Sequence, residues 1–343
     1  MSPSNNATAP WPAEAPAPPP FVFDDGAAYE LMIGRWSALV AQPFLDWLAL
    51  PHGLAWLDDG CGDGSFTQSL VLHRHPASVV GVDPAPAQLN FARQRVATAS
   101  VRFMEGDAQA LPLPDASVDA AVMALVLFFL PDPPQGVREL VRVVKAGGTI
   151  AAYHWDLAGG GFPLQPILDA VHAEGYRSQP PPSAWTATLQ ASEHLWQNAG
   201  LSDVQTRQFE VSRAFESFDE YWRTAHGSPR LRELFATLSS TAMQRLRACA
   251  RERIGSAEDG PLVLKAKANG VKGVKRWGAA IRQGLASLET PLSHLPFPRD
   301  TDRAAADHGA CFSSPRQAPI ATALPRRHRR RATRRRGAAS SAA

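Results

Sequence analysis

Three carboxylates, Asp58, Asp83 and Asp107, each close a short apolar run, and the first leads into glycines at alternate positions, Gly60, Gly62 and Gly64. That pattern suits a polar ligand that carries a ribose. Glycine adopts positive φ and has no side chain to hold a ligand away, and a glycine-rich turn ahead of a helix presents backbone N–H groups to it. Asp83 follows Gly64 by 19 residues, the spacing of an acid at the end of a second parallel strand that accepts both hydroxyls of a ribose. A dinucleotide loop needs glycine at positions one, three and six. Counted from Gly60, position six is Ser65 and the glycines fall at one, three and five. An NAD(P)-dependent Rossmann oxidoreductase is thus the competing class, and its own spacing argues against it.

To gather these carboxylates in one crevice the chain needs parallel strands joined by helices. Strands are predicted for the run before Asp58 and for 79–83, 101–105, 118–123, 149–154, 203–211 and 261–269. A helix is predicted over 35–50, with Pro43 starting or kinking a segment, and another over 65–75, with Ser65 as its N-cap and Phe66, Leu70 and Val71 inward. Further helices are predicted over 86–97, in a short segment after 123, over 135–145 with Val137, Leu140, Val141 and Val144 inward, over 162–175, up to Gly200, and through most of 217–253. This alternation implies a doubly wound, Rossmann-like α/β fold with a mostly parallel seven-stranded sheet and a helical cover. Its ligands belong at the C-terminal strand ends.

Residues 1–20, rich in Pro and Ala, and 276–343, rich in Pro, Ala, Arg and Ser, are expected to be disordered. Between them 21–275 forms one domain, with a cofactor-binding core over 54–156 and the cover and last strands over 157–275. At 45% hydrophobic residues, 343 residues suffice for one or two cores. Cys61, Cys249 and Cys311 are odd in number and lack metal-ligand spacing, which argues against a disulfide framework and a zinc site. Neither a signal peptide nor a membrane-length apolar run is apparent, so a cytoplasmic protein is expected. The formal charge of +3 conceals a mildly acidic domain, because eight arginines lie within 326–336, where they could bind polyanions weakly.

Taken in order, LDDGCGDG (57–64), VGVD (80–83), FMEGDA (103–108), PLPDASVD (112–119) and RELVRVVKAGGTIAAYH (138–154) resemble the class I S-adenosylmethionine-dependent methyltransferases. The similarity is greatest to the small-molecule branch that includes ubiquinone and menaquinone C-methyltransferases. The resemblance implies S-adenosyl-L-methionine as cofactor and a small-molecule methyl acceptor. It implies that Gly60, Gly62 and Gly64 approach the methionine portion and that Asp58 holds the loop and the amino group. Asp83, followed by Pro84, would accept the ribose hydroxyls, while Asp107 and the Ala108 N–H would address the adenine. Ala124 and Leu125 would flank the sulfonium. YELMIGRW (29–36) resembles the segment that closes over the cofactor, which nominates Tyr29 and Arg35. Two positions depart from the family pattern. Asp59 replaces a small apolar residue and must be solvated or paired to avoid a desolvation cost, and Ala146 replaces a proline before Gly147-Gly148.

A sulfonium methyl is already activated, so alignment is the main requirement, with a base needed only for an acceptor of high pKa. His154 and Asp156, at and beyond a strand end, are the candidate bases. Alternation places Tyr153 and Trp155 on the opposite face, and either pair could line the acceptor pocket. MALVLFFLPDPPQ (123–135) lacks the Asn/Asp-Pro-Pro-aromatic motif of base-directed amino methyltransferases at the strand end, so no specific nucleic acid is expected. A catalytically weak methyltransferase-like interaction module is the non-enzymatic alternative, supported by Asp59.

Overall fold

The computed structural model describes residues 30–255 and 260–277. They form a seven-stranded sheet of order β3-β2-β1-β4-β5-β7-β6. Strands β1 (Ala55–Asp59), β2 (Ser78–Asp83), β3 (Val101–Glu105), β4 (Val118–Ala124) and β5 (Val144–Trp155) run parallel. Strand β7 (Leu262–Val274) is antiparallel to β5 and to the edge strand β6 (Ser202–Phe215). The strand order reverses between β1 and β4, and a switch point of this kind opens a crevice at the carboxyl ends of its strands.

Two apolar layers sandwich the sheet. Trp56, Val122, Ala151 and Tyr153 pack with α1 (Arg35–Leu48) and α2 (Ser65–Arg74) on one face. Their neighbours Leu57, Ala121, Met123, Ile150 and Ala152 pack with α4 (Pro133–Val143) and α6 (Leu189–Asn198) on the other, as strand alternation requires. Helix α3 (Pro86–Arg95) closes a smaller cluster through Leu89, Ala92 and Phe103. Helices α5 (Gln165–Ala173), α7 (Phe218–Thr224), α8 (Pro229–Thr237) and α9 (Ser240–Arg253) extend the first layer as the cover. Thr188, Ser217, Ser228 and Ser239 cap α6, α7, α8 and α9, each side chain accepting from a backbone N–H in the first turn. Among the described residues no helix is long and apolar enough to cross a membrane.

Several local expectations are corrected. Pro43 lies inside an unbroken α1 whose Trp36, Val40, Phe44 and Leu48 are buried on the sheet, so packing outweighs the missing backbone hydrogen bond. Ser65 is not the cap of α2. Gly64, at φ 81°, occupies that place, and the Ser65 hydroxyl donates to Asp63 at 2.7 Å. Helix α4 starts at Pro133, because Asp132 accepts the Gln135 N–H at 3.0 Å and proline fits a first helical turn. Val144 belongs to β5, which starts five residues earlier than expected. The disorder expected of 1–20 and of 276–343 lies outside the described residues, save for Arg276 and Trp277. Trp277 covers Gly147, where a Cβ would meet its ring at 2.7 Å.

Asp59 is neither solvated nor paired. It is fully buried at the end of β1, with no hydrogen-bond partner on either carboxylate oxygen. Burial, reinforced by Asp58, Asp83 and Asp107, drives its pKa well above the carboxylate range. The folded chain therefore holds a proton there that the unfolded chain releases, so this contribution to stability is present in acid and lost as pH rises past the ordinary aspartate range. Asp59→Val should stabilise the fold by about 1–3 kcal/mol, the cost of a buried unsatisfied polar group. Urea denaturation at pH 4.5 and 7.5 should show a larger gain at the higher pH. An equal gain at both values would mean that Asp59 is ionised in the folded chain.

Candidate active site

The glycine loop is drawn onto the end of β2. The N–H groups of Gly60 and Cys61 both donate to the Val82 carbonyl, at 2.8 and 2.9 Å, and Gly62 donates to Asp83 Oδ2 at 2.9 Å. Gly64 donates to the Cys61 carbonyl at 2.9 Å. These N–H groups are thus spent inside the protein, contrary to the expectation that the loop presents them to a ligand. What the loop offers is close approach. Gly60, Gly62 and Gly64 all have positive φ, and each lack of a side chain does something different. A Cβ on Gly60 would strike Val126 Cγ2 at 2.3 Å, and one on Gly64 would press on Ala92 of α3 at 3.0 Å, whereas one on Gly62 would meet nothing within 4 Å. Gly62 faces open space.

The acids around the loop differ in their bonding. Asp58 is fully buried, with Oδ2 accepting the Thr67 hydroxyl and Oδ1 without a partner. Burial raises its pKa to about 7, against the lowering by the Thr67 bond and with help from Asp83 and Asp63. Asp83 is 9% exposed and accepts the Ala85 N–H as well as that of Gly62, both at 2.9 Å. Burial raises its pKa too. Asp107 is exposed, and its Oδ1 accepts the Gln109 N–H at 2.8 Å. Pro84 is exposed beside Asp83, while Ala108 is buried.

Beside the loop, at the ends of β4 and β5, is a cavity of about 520 Å³. Met32, Ile33, Leu125, Phe128, Trp155 and Leu168 represent its apolar wall. Leu125, the first residue after β4, adopts φ 64° and donates to the Tyr153 carbonyl at 2.8 Å. A non-glycine residue in the left-handed region is strained, and such strain persists where its surroundings over-determine it. Ala124 precedes it as the last residue of β4.

The family profile described as a methyltransferase domain matches residues 57–152. The matched segment holds the glycine loop, Asp58, Asp83, Asp107 and Leu125. The chain is 33% identical over 177 residues to the 2-methyl-6-phytyl-1,4-hydroquinone methyltransferase 1 of Oryza sativa, covering 51% of this chain and 49% of that protein. It is 40% identical over 96 residues to the demethylmenaquinone methyltransferase of Deinococcus radiodurans, covering 27% of this chain and 40% of that protein. The chain therefore spans half the length or less of these two relatives. Among solved structures, the phosphoethanolamine N-methyltransferase 2 of Haemonchus contortus, in complex with S-adenosyl-L-methionine, aligns at TM-score 0.46 and 18% identity, over 74% of this chain and 57% of that one.

The site has a place for S-adenosyl-L-methionine, the cofactor that the sequence resemblance implies. The orphaned Asp58 Oδ1 is the acceptor an ammonium group would satisfy, and the space over Gly62 admits a ligand where any side chain would intrude. The other nominated residues divide. Tyr29 lies outside the described residues, and Arg35 is exposed at the start of α1, while Met32 and Ile33 just before it reach the cavity.

Neither nominated base lines the cavity. His154 is fully buried, and its Nε2 shares a hydrogen bond of 3.0 Å with Ser192 Oγ, which also lies within hydrogen-bond distance of the Thr186 and Thr188 carbonyls. Nδ1 has no partner. Burial lowers its pKa to about 4. It fastens α6 to β5. Asp156 accepts the Gly159 N–H at 3.0 Å and the Gln208 amide at 3.1 Å, so it shapes the turn over 157–161. Of the pair on the opposite face, Trp155 lines the cavity, and the Tyr153 hydroxyl is 3.0 Å from Ser37 Oγ.

A further residue escaped the sequence reading. Arg142 of α4 employs all five N–H donors of its guanidinium, on Glu139, on Asp115 and on the carbonyls of Leu111 and Leu113, at 2.7–2.9 Å. Glu139 in turn accepts the Leu111 N–H at 2.8 Å. The segment that carries Asp107 and Ala108 is thereby clamped to α4. Lysine cannot reproduce this fork. Arg142→Lys should weaken S-adenosylhomocysteine binding about threefold to tenfold by calorimetry, with the glycine loop untouched, and unchanged affinity would show that the clamp does not bear on the adenosine end.

Proposed function

We propose that the chain is an S-adenosyl-L-methionine-dependent methyltransferase that transfers the methyl group to a small, mostly apolar acceptor held in the cavity beside β4 and β5. One observation carries this reading. Leu125 lines the cavity, and the next residue, Val126, is seated on Gly60 of the glycine loop. Acceptor space and cofactor loop therefore meet at two consecutive residues.

Bound S-adenosyl-L-methionine supplies an electrophilic methyl group on a sulfonium. The chain has to hold a nucleophile in line with it and keep water away, and such orientation contributes about 7–11 kcal/mol to lowering a barrier. Five aromatic residues, Phe128, Phe129, Trp155, Phe162 and Trp185, line the cavity and suit a flat apolar molecule. Among the described residues no Asp, Glu, Lys or Arg lines it, so a charged acceptor would lose its hydration with no countercharge from them in return. The relatives named for methylating a phytyl-hydroquinone and a demethylmenaquinone point to acceptors of the same character.

Calorimetric titration of the full chain should give micromolar affinity for S-adenosylmethionine and S-adenosylhomocysteine. Asp83→Ala should lower both affinities at least thirtyfold, because it removes a carboxylate from the ribose position and a tether from Gly62. Binding of NAD alone would overturn the proposal in favour of an oxidoreductase. Binding of none of the three would leave an interaction module.

A further inference from the structure

Asp63, between Gly62 and Gly64, is a carboxylate that the assignments above leave without a role. Its side chain is 2% exposed. Oδ1 accepts the Ser65 N–H at 3.1 Å and the Ser65 hydroxyl at 2.7 Å, and Oδ2 lies 3.1 Å from Nη2 of Arg95. Nη1 of the same guanidinium donates to Ser65 Oγ at 2.6 Å. One arginine in the last turn of α3 thus grips two residues at the end of the glycine loop. Gly64 adds a second contact, since its missing side chain lets Ala92 of α3 come close. Helix α3 begins at Pro86, directly beyond Asp83-Pro84-Ala85, so the grip joins the loop to the element that follows the ribose acid. An ammonium group brought to this loop would meet two buried carboxylates. Asp63 is already paired and hydrogen-bonded, whereas Asp58 keeps an oxygen without a partner. After burial itself, the charges on Asp83 and Asp63 favour the protonated form of Asp58.

We infer that Arg95 is a positioning residue for the amino-acid end of the cofactor: its pair with Asp63 leaves Asp58 as the acceptor of the ammonium group and holds the glycine loop against α3. The inference rests on the methyltransferase reading above and adds to it a residue that acts through Asp63 and Ser65. Without the guanidinium, Asp63 would be a buried carboxylate robbed of a countercharge. Its charge would bear fully on Asp58, and a protonated Asp58 is a poor acceptor for an ammonium group. The competing role is direct contact between Arg95 and the cofactor carboxylate. That contact would draw the guanidinium away from Asp63 and Ser65, and it is separable by experiment.

Calorimetry on the full chain compares S-adenosylhomocysteine with methylthioadenosine, which has the same adenosine and sulfur but no amino-acid end. Arg95→Met should weaken S-adenosylhomocysteine about tenfold, the size of effect one neighbouring charge has on a carboxylate, and leave methylthioadenosine within about twofold. Arg95→Lys keeps the charge but not the fork that reaches Asp63 and Ser65 together, and should recover about half of that loss on a logarithmic scale. Arg95→Met combined with Asp63→Asn removes the freed carboxylate and should return the affinity to within about threefold of the unaltered chain. Equal weakening of both ligands would overturn the inference by making Arg95 a general support of the fold. A loss that persists in the double variant would overturn it in favour of direct contact with the cofactor carboxylate. Should Arg95→Met not fold, Asp63→Asn alone decides: its amide oxygen still accepts from Ser65, so S-adenosylhomocysteine affinity should stay within about threefold, and a tenfold loss would overturn the inference. An unaltered chain that binds neither ligand would sink the methyltransferase reading and the inference together, whereas an unaltered chain that binds S-adenosylhomocysteine no better than Arg95→Met does would sink the inference alone.

Discussion

The seat of Val126 on Gly60 is the contact on which the two halves of the site depend. A side chain of any size at Gly60 would occupy the volume of Val126 Cγ2, 2.3 Å from where a Cβ would stand. Val126, the residue after Leu125, would then have to shift. The left-handed turn at Leu125 serves the same junction. At φ 64° the residue turns the chain off the strand while its N–H stays bonded to the Tyr153 carbonyl of β5. Backbone strain of this kind costs of order 1–3 kcal/mol, and here buried neighbours on both sheet faces hold it in place.

Around that junction the chain separates charge from apolarity. Asp58, Asp63 and Asp83 are buried about the glycine loop, and of the three, Asp63 has a side-chain cation, Arg95 at 3.1 Å. The other side of the junction has a wall without Asp, Glu, Lys or Arg among the described residues. Mixing the two would be costly, because a carboxylate placed in an apolar wall loses hydration with nothing in return. Asp59 shows what happens when one strays. It points with Leu57 into the α4 layer, where neither oxygen has a hydrogen-bond partner and burial favours its protonated form.

Much of this architecture was legible because its signals are local. An apolar run ended by an aspartate locates a strand end, and glycines at alternate positions mark a loop pressed close to its neighbours, so β1, β2, β3 and the crevice follow from short stretches. The acceptor side was not legible in that way. His154 looked like a base from its place at a strand end, yet sequence does not show that Ser192, 38 residues later, closes over it. Arg142 reads as an ordinary helical charge until the segment over 111–115 folds back to meet it. His172 had a faint signal, a polar residue at i+7 from Gln165 on a helix with apolar residues between. Only the assembled cover shows that this exposed residue also borders a cavity.

This difference follows from how the two sites are built. The cofactor side consists of backbone turns and strand ends, whose geometry is set by residues a few positions apart. The acceptor side is assembled from Met32, Phe128, Trp155, His172, Trp185 and Pro229, drawn from six separate segments. No short motif can encode such a wall, because each residue is constrained only by the shape and polarity of the joint surface. One substitution in the wall can therefore change which acceptor fits without disturbing the loop, whereas a substitution at Gly60 or Leu125 disturbs both. The cover is thus the part of the chain in which acceptor specificity can vary, and the glycine loop is the part in which it cannot.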